Sequence, residues 1–415
     1  MKTTTVKGTS DYLPAETALR DEMQAAILGV YRAAGYEHIS TPIIEDMENL
    51  DKSDGGDNLN LIFKILKRGE KFDEAVAAGD FAHLADMGLR YDLTLPLCRY
   101  YANNKATLPA PFKAIQIDRV YRAERPQKGR MREFVQCDID ILGDASSAAE
   151  LDLIVTTAAA LEKLGIGAFR IRINNRVILR SILSSLGFAE DALDSVCISF
   201  DKLDKIGADG VLAELREKSF PEEAIAGFAK FLESKPETPE DAAAFGADPE
   251  AVRSLREIMD AATALSDGTW DVAFDVSLVR GQGYYTGTVF EVESKLFRGA
   301  VGGGGRYDHL VGKFIGEDVP AVGFSIGFER IYGILKEQGA ASENKARRAV
   351  VFFEGNSPAD ALPAQKRAAA LRGEGWSVSV AEMPKKLGKA LSRYAERGFT
   401  AYMVEGRDDG LKDLQ

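Results

Sequence analysis

Residues 132–143, REFVQCDIDILG, carry a clean two-residue alternation: Val135, Cys137, Ile139 and Ile141 are apolar, while Gln136, Asp138 and Asp140 are polar. A strand sends successive side chains to opposite faces, so one face here packs and the other presents an amide and two carboxylates. The segment before it, PFKAIQIDRVYRAE (111–124), alternates in the same way, with Gln116, Asp118, Arg122 and Glu124 at even positions. Between the two lies RPQKGRM, a polar, glycine-containing connection, so the strands are expected to pair as an antiparallel hairpin. A register symmetric about residue 128 puts Arg122 and Gln136 on one face. The connection is also basic: Arg119, Arg122, Arg125, Lys128, Arg130 and Arg132 fall within 14 residues. Arginine offers planar, paired hydrogen bonds to phosphate. Taken alone, the segment reads equally well as a half-solvated hairpin with a charged turn.

Outward from this hairpin, residues 15–34 form a run at helical period, and residues 36–165 mix strands and helices. Residues 170–262 are mostly helical in pattern, interrupted at 235–250 by KPETPEDAAAFGADPE, which reads as an inserted helical domain. Strands return at 272–280, 285–293 and 321–327, followed by a helix through Lys336 and a polar linker at 338–345. The tail alternates RRAVVFF, a helix near 365–372, WSVSVAE, a helix near 387–397, and TAYMVE, the rhythm of a small α/β domain.

Composition narrows the class of function. The 415 residues suffice for two or three domains. No segment reaches the roughly 18 unbroken apolar residues of a membrane helix, and MKTTTVKGTSDYLP has no apolar core of a secretory signal. Cys98, Cys137 and Cys197 are scattered without CxxC spacing, so reduced thiols, a cytosolic setting and no zinc site are expected. A net charge of −12 argues against non-specific nucleic-acid binding over the whole surface. Residues 346–415, however, hold 12 Lys+Arg against 9 Asp+Glu, a mildly basic tail on an acidic body. That suits a local nucleic-acid contact, or is simply uneven surface charge.

Two glycine-rich stretches, VRGQGYYTGTVFE (279–291) and VGGGGRYD (301–308), invite a nucleotide reading. Neither contains GxxxxGK[ST], and Thr286 and Tyr307 stand where a dinucleotide fingerprint needs its third glycine. Glycines in strands instead mark bulges or close backbone approach to a ligand. In FSIGFERIYGILKE, Arg330 falls in the first turn of a helix, where the macrodipole disfavours a cation. Stacking on a base near phosphate, or a salt bridge to Glu329 or Glu317, accounts for such a placement.

Several motifs together resemble the histidyl-tRNA synthetase family of class II aminoacyl-tRNA synthetases: KGTSDYLP (7–14), GYEHISTPIIED (35–46, like motif 1 with Pro42 at a dimer interface), RYDLT (90–94), VYRAERPQKGRMREFVQCDIDILG (motif 2), LVRGQGYYTGTVFE (the histidine-specific motif) and GFSIGFERI (motif 3). The resemblance spans essentially the whole chain. It implies an α+β class II fold: a catalytic domain built on an antiparallel sheet (1–168 and 265–337), a mainly helical insertion (169–264) and a small α/β anticodon-binding domain (346–415), shortened at its end. It further implies a cytoplasmic homodimer, away from membranes, that uses ATP and Mg2+ to adenylate histidine and transfers it to tRNA(His).

By resemblance, Asp92, Leu93, Thr94 and Gln136 hold the substrate, chiefly its ammonium. Asp140, Tyr284 and Tyr285 read the imidazole. Arg122 grips the α-phosphate and the substrate carboxylate, and Arg280 stabilises charge during attack. Glu124, Arg130 and Arg330 serve ATP, with Arg330 stacked on adenine, and Gln127 approaches the acceptor end of the tRNA. No resident metal is implied, since Mg2+ arrives with ATP. Two departures stand out. RYDLT replaces a common RPEGT type, placing a shorter carboxylate at Asp92, and Gln282–Gly283 replaces a frequent Leu–Asp. Two other readings remain: a non-catalytic relative, such as the regulatory subunit of ATP phosphoribosyltransferase, whose arginines are usually eroded, and a synthetase for another amino acid, against which Asp140 with the tyrosine pair argues.

Overall fold

The computed structural model describes residues 1–51, 60–127, 129–279, 284–339 and 347–414. The chain divides into two compact units, Met1–Leu13 with Met23–Ala340 and Pro14–Glu22 with Ala341–Gln415. Helix α1 (Pro14–Ala33) is followed by β1 (Glu37–His38), β2 (Ile44–Asp46), α2 (Met47–Leu50), β3 (Lys64–Leu66), α3 (Glu70–Ala77), β4 (Ala85–Leu89) and α4 (Thr94–Asn104). The hairpin comes next as β5 (Phe112–Tyr121) and β6 (Glu133–Leu142), then α5 (Ala148–Lys163) and β7 (Phe169–Asn175). Helices α6 (Arg176–Ser185), α7 (Leu193–Phe200), α8 (Leu203–Glu217), α9 (Glu222–Ser234), α10 (Pro239–Ala243) and α11 (Pro249–Leu265) precede β8 (Asp271–Phe274), β9 (Thr288–Ser294) and β10 (Ala300–Arg306). The first unit closes with α12 (Gly312–Ile315), β11 (Ala321–Gly327) and α13 (Phe328–Glu337).

Among the described residues, the large unit is organised by an eight-stranded sheet in the order β1-β5-β6-β11-β10-β9-β7-β8, beside a three-stranded sheet β2-β4-β3. Its central pairs are antiparallel, and only the outer pairs β1–β5 and β7–β8 run parallel. The hairpin forms as expected but with a shifted register: Asp118 faces Gln136 and Tyr121 faces Glu133, so the centre of symmetry is residue 127, not 128. Moving the centre by one residue changes every partner by two, and because side chains alternate with period two the faces survive. Arg122 pairs with Arg132 through its backbone N–H.

The registers place one row of side chains across the sheet. Gln116 and Asp118 on β5 lie beside Asp138 and Gln136 on β6, which face Ser325 and Gly327 on β11, while Asp140 faces Gly323. Gly303 and Gly305 on β10 continue the row, followed by Glu291 on β9 and Arg172 on β7. The opposite face is apolar: Ile115, Cys137, Ile139, Phe324, Ile326, Phe290, Val292, Ile171 and Ile173 are all buried, and α5 and α11 pack against strands of this sheet. Each such buried side chain contributes about 1.5–3 kcal/mol. The period-two pattern of the sequence is therefore the division between core and site.

Residues 301–305, VGGGG, which were not among the expected strands, belong to a strand, β10, and the register irregularity between Ala300 and Gly302 is the kind of bulge that glycines in a strand mark. Hydrophobic periodicity cannot reveal a strand whose residues lack side chains. The expected helical insertion, 169–264, opens one element late: Phe169–Asn175 is sheet strand β7, and helices begin at Arg176. Phe169, Ile171 and Ile173 bury one apolar face, a strand pattern that a coarse helical reading absorbs. The helices have their own aromatic centre, in which Phe228 meets Phe200 at 5.3 Å and Phe231 at 5.9 Å between ring centroids. The Pro/Ala/Asp-rich break resolves into capping chemistry. Thr238 and Asp241 form a capping box with Pro239 at the first position of α10, and Asp248 caps α11 ahead of Pro249.

In the second unit, β12 (Arg348–Phe353), α14 (Pro358–Gly373), β13 (Ser377–Glu382), α15 (Leu387–Glu396), β14 (Ala401–Val404) and β15 (Lys412–Asp413) follow the expected α/β rhythm. The sheet order is β13-β12-β14-β15, parallel except for β15, a two-residue edge strand the sequence pattern did not announce. Alternation in RAVVFF sends Val351 against Ala364, Ala368 and Leu371 of α14 and Val350 and Phe352 against the opposite layer with Leu387, Leu391 and Tyr394 of α15.

Candidate functional site

The polar row floors a cavity of about 620 Å³ lined by Asp92, Thr94, Arg122, Glu124, Arg130, Gln136, Asp138, Asp140, Tyr284, Tyr285, Tyr307 and Arg330, among others. Ten of the residues expected from sequence thus meet in one place. Leu93 does not: its side chain is fully buried in the core, and its carbonyl accepts from Gln116 Nε2 at 2.8 Å. At the start of α4 the side chains of Asp92 and Thr94 point one way and that of Leu93 the other. Gln127 is exposed in the hairpin turn, where its backbone pairs with Arg130, and it does not line the cavity. Arg280 and Lys128 lie outside the described residues.

Three carboxylates, Asp92, Asp138 and Asp140, are each at most 5% exposed. Asp140 Oδ1 accepts from Tyr307 Oη at 2.6 Å. Burial pushes its carboxyl up to about 7; the Tyr307 hydrogen bond pulls it down and the charge of Asp92 adds to the rise. Asp138 is pushed well above the carboxylate range by burial and then by Asp140, with Ser325 and Arg122 acting against this. Asp92 is raised by burial, while backbone hydrogen bonds and Arg122 lower it. Asp92 Oδ1 accepts from Leu95 N at 3.2 Å. Among the described residues, Asp92 Oδ2 and Gln136 Oε1 are buried acceptors with no hydrogen-bond partner. A buried acceptor left unmade costs about 1–3 kcal/mol, so these two oxygens suit a donor carrying positive charge.

The tyrosines pack edge to face beside these carboxylates: Tyr284 meets Tyr285 at 5.0 Å and Tyr307 at 6.1 Å between ring centroids. Tyr284 hydrogen-bonds Thr94, and burial raises its phenol well above the usual value. The cations are held by backbone. Arg122 Nε donates to Tyr91 O at 2.9 Å, with the guanidinium 5.1 Å from the Phe134 ring centre. Arg330 sits in the first turn of α13, as expected, and its guanidinium donates to Ala300 O and lies 5.7 Å from the Phe297 ring centre. Neighbouring Glu329 accepts from Val135 N at 3.2 Å, and Glu317 is paired with Lys105. Arg130 lies 3.5 Å from Glu124.

The glycines make the room. A Cβ on Gly323 would stand 2.0 Å from Asp140 Oδ1, and one on Gly304 would stand 1.9 Å from the backbone oxygen of Gly323. Sequence reading missed Tyr307, Ser325 and Arg172 as lining residues, and Phe200, Asp201 and Leu203 of the helical region, which form another part of the wall. Tyr307 immediately follows the glycine strand, a signal that becomes readable only once VGGGGR is known to be a strand. Asp138 was read as part of the polar face without a role.

Comparison with known proteins agrees with this geometry. The histidyl-tRNA synthetase family profile matches residues 8–331. The chain is 42% identical to histidine–tRNA ligase of Leifsonia xyli, over 97% of this chain and 95% of that protein. It is 35% identical to histidine–tRNA ligase of Christiangramia forsetii, over 98% of this chain and 92% of that protein. The crystal structure of histidyl-tRNA synthetase from Nostoc superposes with a TM-score of 0.79 at 28% identity, covering 100% of this chain and 95% of that one. A Bacillus halodurans structure described as an ATP phosphoribosyltransferase regulatory subunit/histidyl-tRNA synthetase superposes at 0.78 but at 20% identity, a likeness of fold. With the profile spanning both halves of the cavity and relatives matching end to end, the chain belongs to the histidyl-tRNA synthetase family.

Proposed function

We propose that the chain is a histidine–tRNA ligase that adenylates histidine with ATP and then transfers it to the 3' end of tRNA(His). The observation that carries the reading is the meeting, in one cavity, of buried carboxylates and unpartnered acceptors with the guanidinium groups of Arg122, Arg130 and Arg330. The first set suits an ammonium and an imidazole, and the second suits a triphosphate. In this proposal Asp92 and Gln136 take the ammonium, and Thr94 positions Tyr284. Asp140 accepts from one imidazole nitrogen while Tyr285 meets the other, since a phenol either donates or accepts.

The substrate carboxylate is ionised at pH 7, with an α-carboxyl pKa of about 3.5, so it attacks the α-phosphorus without a general base. A carboxylate oxygen–phosphorus bond forms as the bond to pyrophosphate breaks. Such transfers are promoted by positioning and by positive charge where negative charge develops. Arg122 and Arg280 are assigned that task at the α-phosphate, and Arg330, aided by Glu124 and Arg130, holds the adenine and outer phosphates. In the second step a ribose hydroxyl of the tRNA attacks the acyl carbon and AMP leaves; Gln127, at the exposed hairpin tip, is proposed to meet that acceptor end.

Among the described residues no group of three or more His, Cys, Asp or Glu side chains forms a metal cage, and Mg2+ is proposed to enter bound to the triphosphate, where it offsets phosphate charge. Exposed Ile43, Ile44, Leu66 and Met87 around the small sheet support a homodimer through the motif 1 region. The second unit is proposed to read the anticodon, and the setting to be cytoplasmic. The non-catalytic alternative is not favoured, because the curated relatives that span nearly the whole chain are named as ligases.

Histidine should support ATP–pyrophosphate exchange, and the other amino acids should not. Exchange with none of them would return the regulatory reading, and exchange with a different one would overturn the assignment of Asp140.

A further inference from the structure

We infer that Asp138 is a positioning residue for ammonium recognition: its carboxylate takes the amide hydrogens of Gln136 and thereby turns Gln136 Oε1 toward the ligand as an acceptor. The inference rests on the reading of the cavity as a histidine site and adds a residue to it. Gln136 and Asp138 are two residues apart on the same face of β6. Gln136 Nε2 donates to Asp138 at 3.4 and 3.3 Å to its two carboxylate oxygens, with Ser325 Oγ 3.5 Å away. Gln136 Oε1 is left buried and, among the described residues, without a partner.

In its ionised form, which a bound ammonium favours, the Asp138 carboxylate accepts and cannot donate. Rotating the amide by half a turn would therefore set Oε1 against Asp138 and point an N–H group where the ammonium must sit. By fixing the amide one way, Asp138 makes the second acceptor of a pair whose first is Asp92 Oδ2. Asp92 is the shorter carboxylate in the RYDLT segment, so a reliably oriented second acceptor matters more here. Burial and Asp140 work against the ionised form of Asp138, while Arg122 favours it. An arriving ammonium adds positive charge, so the ligand and the ionised carboxylate support each other.

The test compares binding of histidine and of imidazolepropionic acid, which lacks only the ammonium, to the full chain by calorimetry. Asp138→Asn replaces the ionised acceptor by a group that donates or accepts, and so no longer dictates the orientation of the Gln136 amide. Histidine should bind about 10- to 100-fold more weakly, the range for losing one hydrogen bond to a charged group. Binding of imidazolepropionic acid should change less than about threefold, within the reach of indirect effects. Asp138→Glu should restore much of the histidine affinity. In a Gln136→Glu background, where both oxygens accept and orientation is immaterial, Asp138→Asn should cost little further. Equal weakening of both ligands, an unchanged histidine affinity, or the same loss in the Gln136→Glu background would each overturn the inference. Wild-type protein that bound no histidine would instead overturn the reading of the cavity beneath it.

Discussion

Asp140→Ala should lower kcat/KM for histidine in ATP–pyrophosphate exchange by about 10³- to 10⁵-fold, the scale on which a site built for hydrogen bonding rejects an unpaired partner. The substitution removes the acceptor proposed for the imidazole and also strands Tyr307 Oη, whose 2.6 Å bond ends on Asp140 Oδ1. A loss below tenfold would mean that the imidazole is read elsewhere. Asp140→Asn separates function from stability. The wild-type carboxyl, ordinarily near 3.8, is raised to about 7 in the fold by burial. The folded chain therefore holds a proton that the unfolded chain has released. The stability this brings is fully present below pH 3.8 and is lost as the pH rises through about 7. An asparagine has no proton to lose. Chemical denaturation should find Asp140→Asn increasingly more stable than wild type from pH 5 to pH 8, by up to roughly 4 kcal/mol, although it is the poorer enzyme. An unchanged or reversed pH trend would contradict the burial argument.

The second large effect belongs to a residue with no side chain. A methyl group on Gly323 would lie 2.0 Å from Asp140 Oδ1 and 3.3 Å from the Tyr307 ring. Strand pairing holds Gly323 directly opposite Asp140, so the carboxylate must move and give up its bond to Tyr307. Gly323→Ala should cost about 1–3 kcal/mol of stability through overpacking and lower kcat/KM by about 10²-fold or more, as expected when reacting groups are misplaced by an ångström. Gly333→Ala, in helix α13 with nothing within 4 Å of the added carbon, should leave both within a few tenths of a kcal/mol or gain slightly from helix propensity. Denaturation and exchange assays on the pair check this. Comparable losses in both variants would show that the cavity floor has no special need of glycine.

These two residues also mark how far the sequence could be read. The alternation in REFVQCDIDILG identified both a strand and the face that lines the cavity, because burying Cys137, Ile139 and Ile141 leaves Gln136, Asp138 and Asp140 on the cavity side. Arg330 was legible because its place in the first turn of a helix runs against local electrostatics. Roles such as those of Thr94 and Tyr285 came from resemblance, since nothing in their spacing alone points to a ligand. What could not be read depends on contacts between distant segments. The hairpin centre differed by one residue because polar turn residues do not fix register. Phe169–Asn175 joined the sheet through β9, a partner 113 or more residues away in the chain. VGGGG has no pattern, and its purpose is visible only in what a side chain would strike. Leu93, carried over beside Asp92 and Thr94, belongs to the core. The role proposed for Asp138 rests on one amide neighbour, Gln136, which also reaches a serine on another strand.

The central claim is that buried acceptors lining one cavity, Asp92 ahead of α4 and Gln136 and Asp140 on β6, hold histidine by its two basic groups. A crystal structure of the chain with histidine tests it most directly. The account predicts the ammonium within hydrogen-bond distance of Asp92 Oδ2 and Gln136 Oε1, with an imidazole nitrogen on Asp140. Histidine bound with its ammonium away from those two oxygens, or bound outside this cavity, would contradict it.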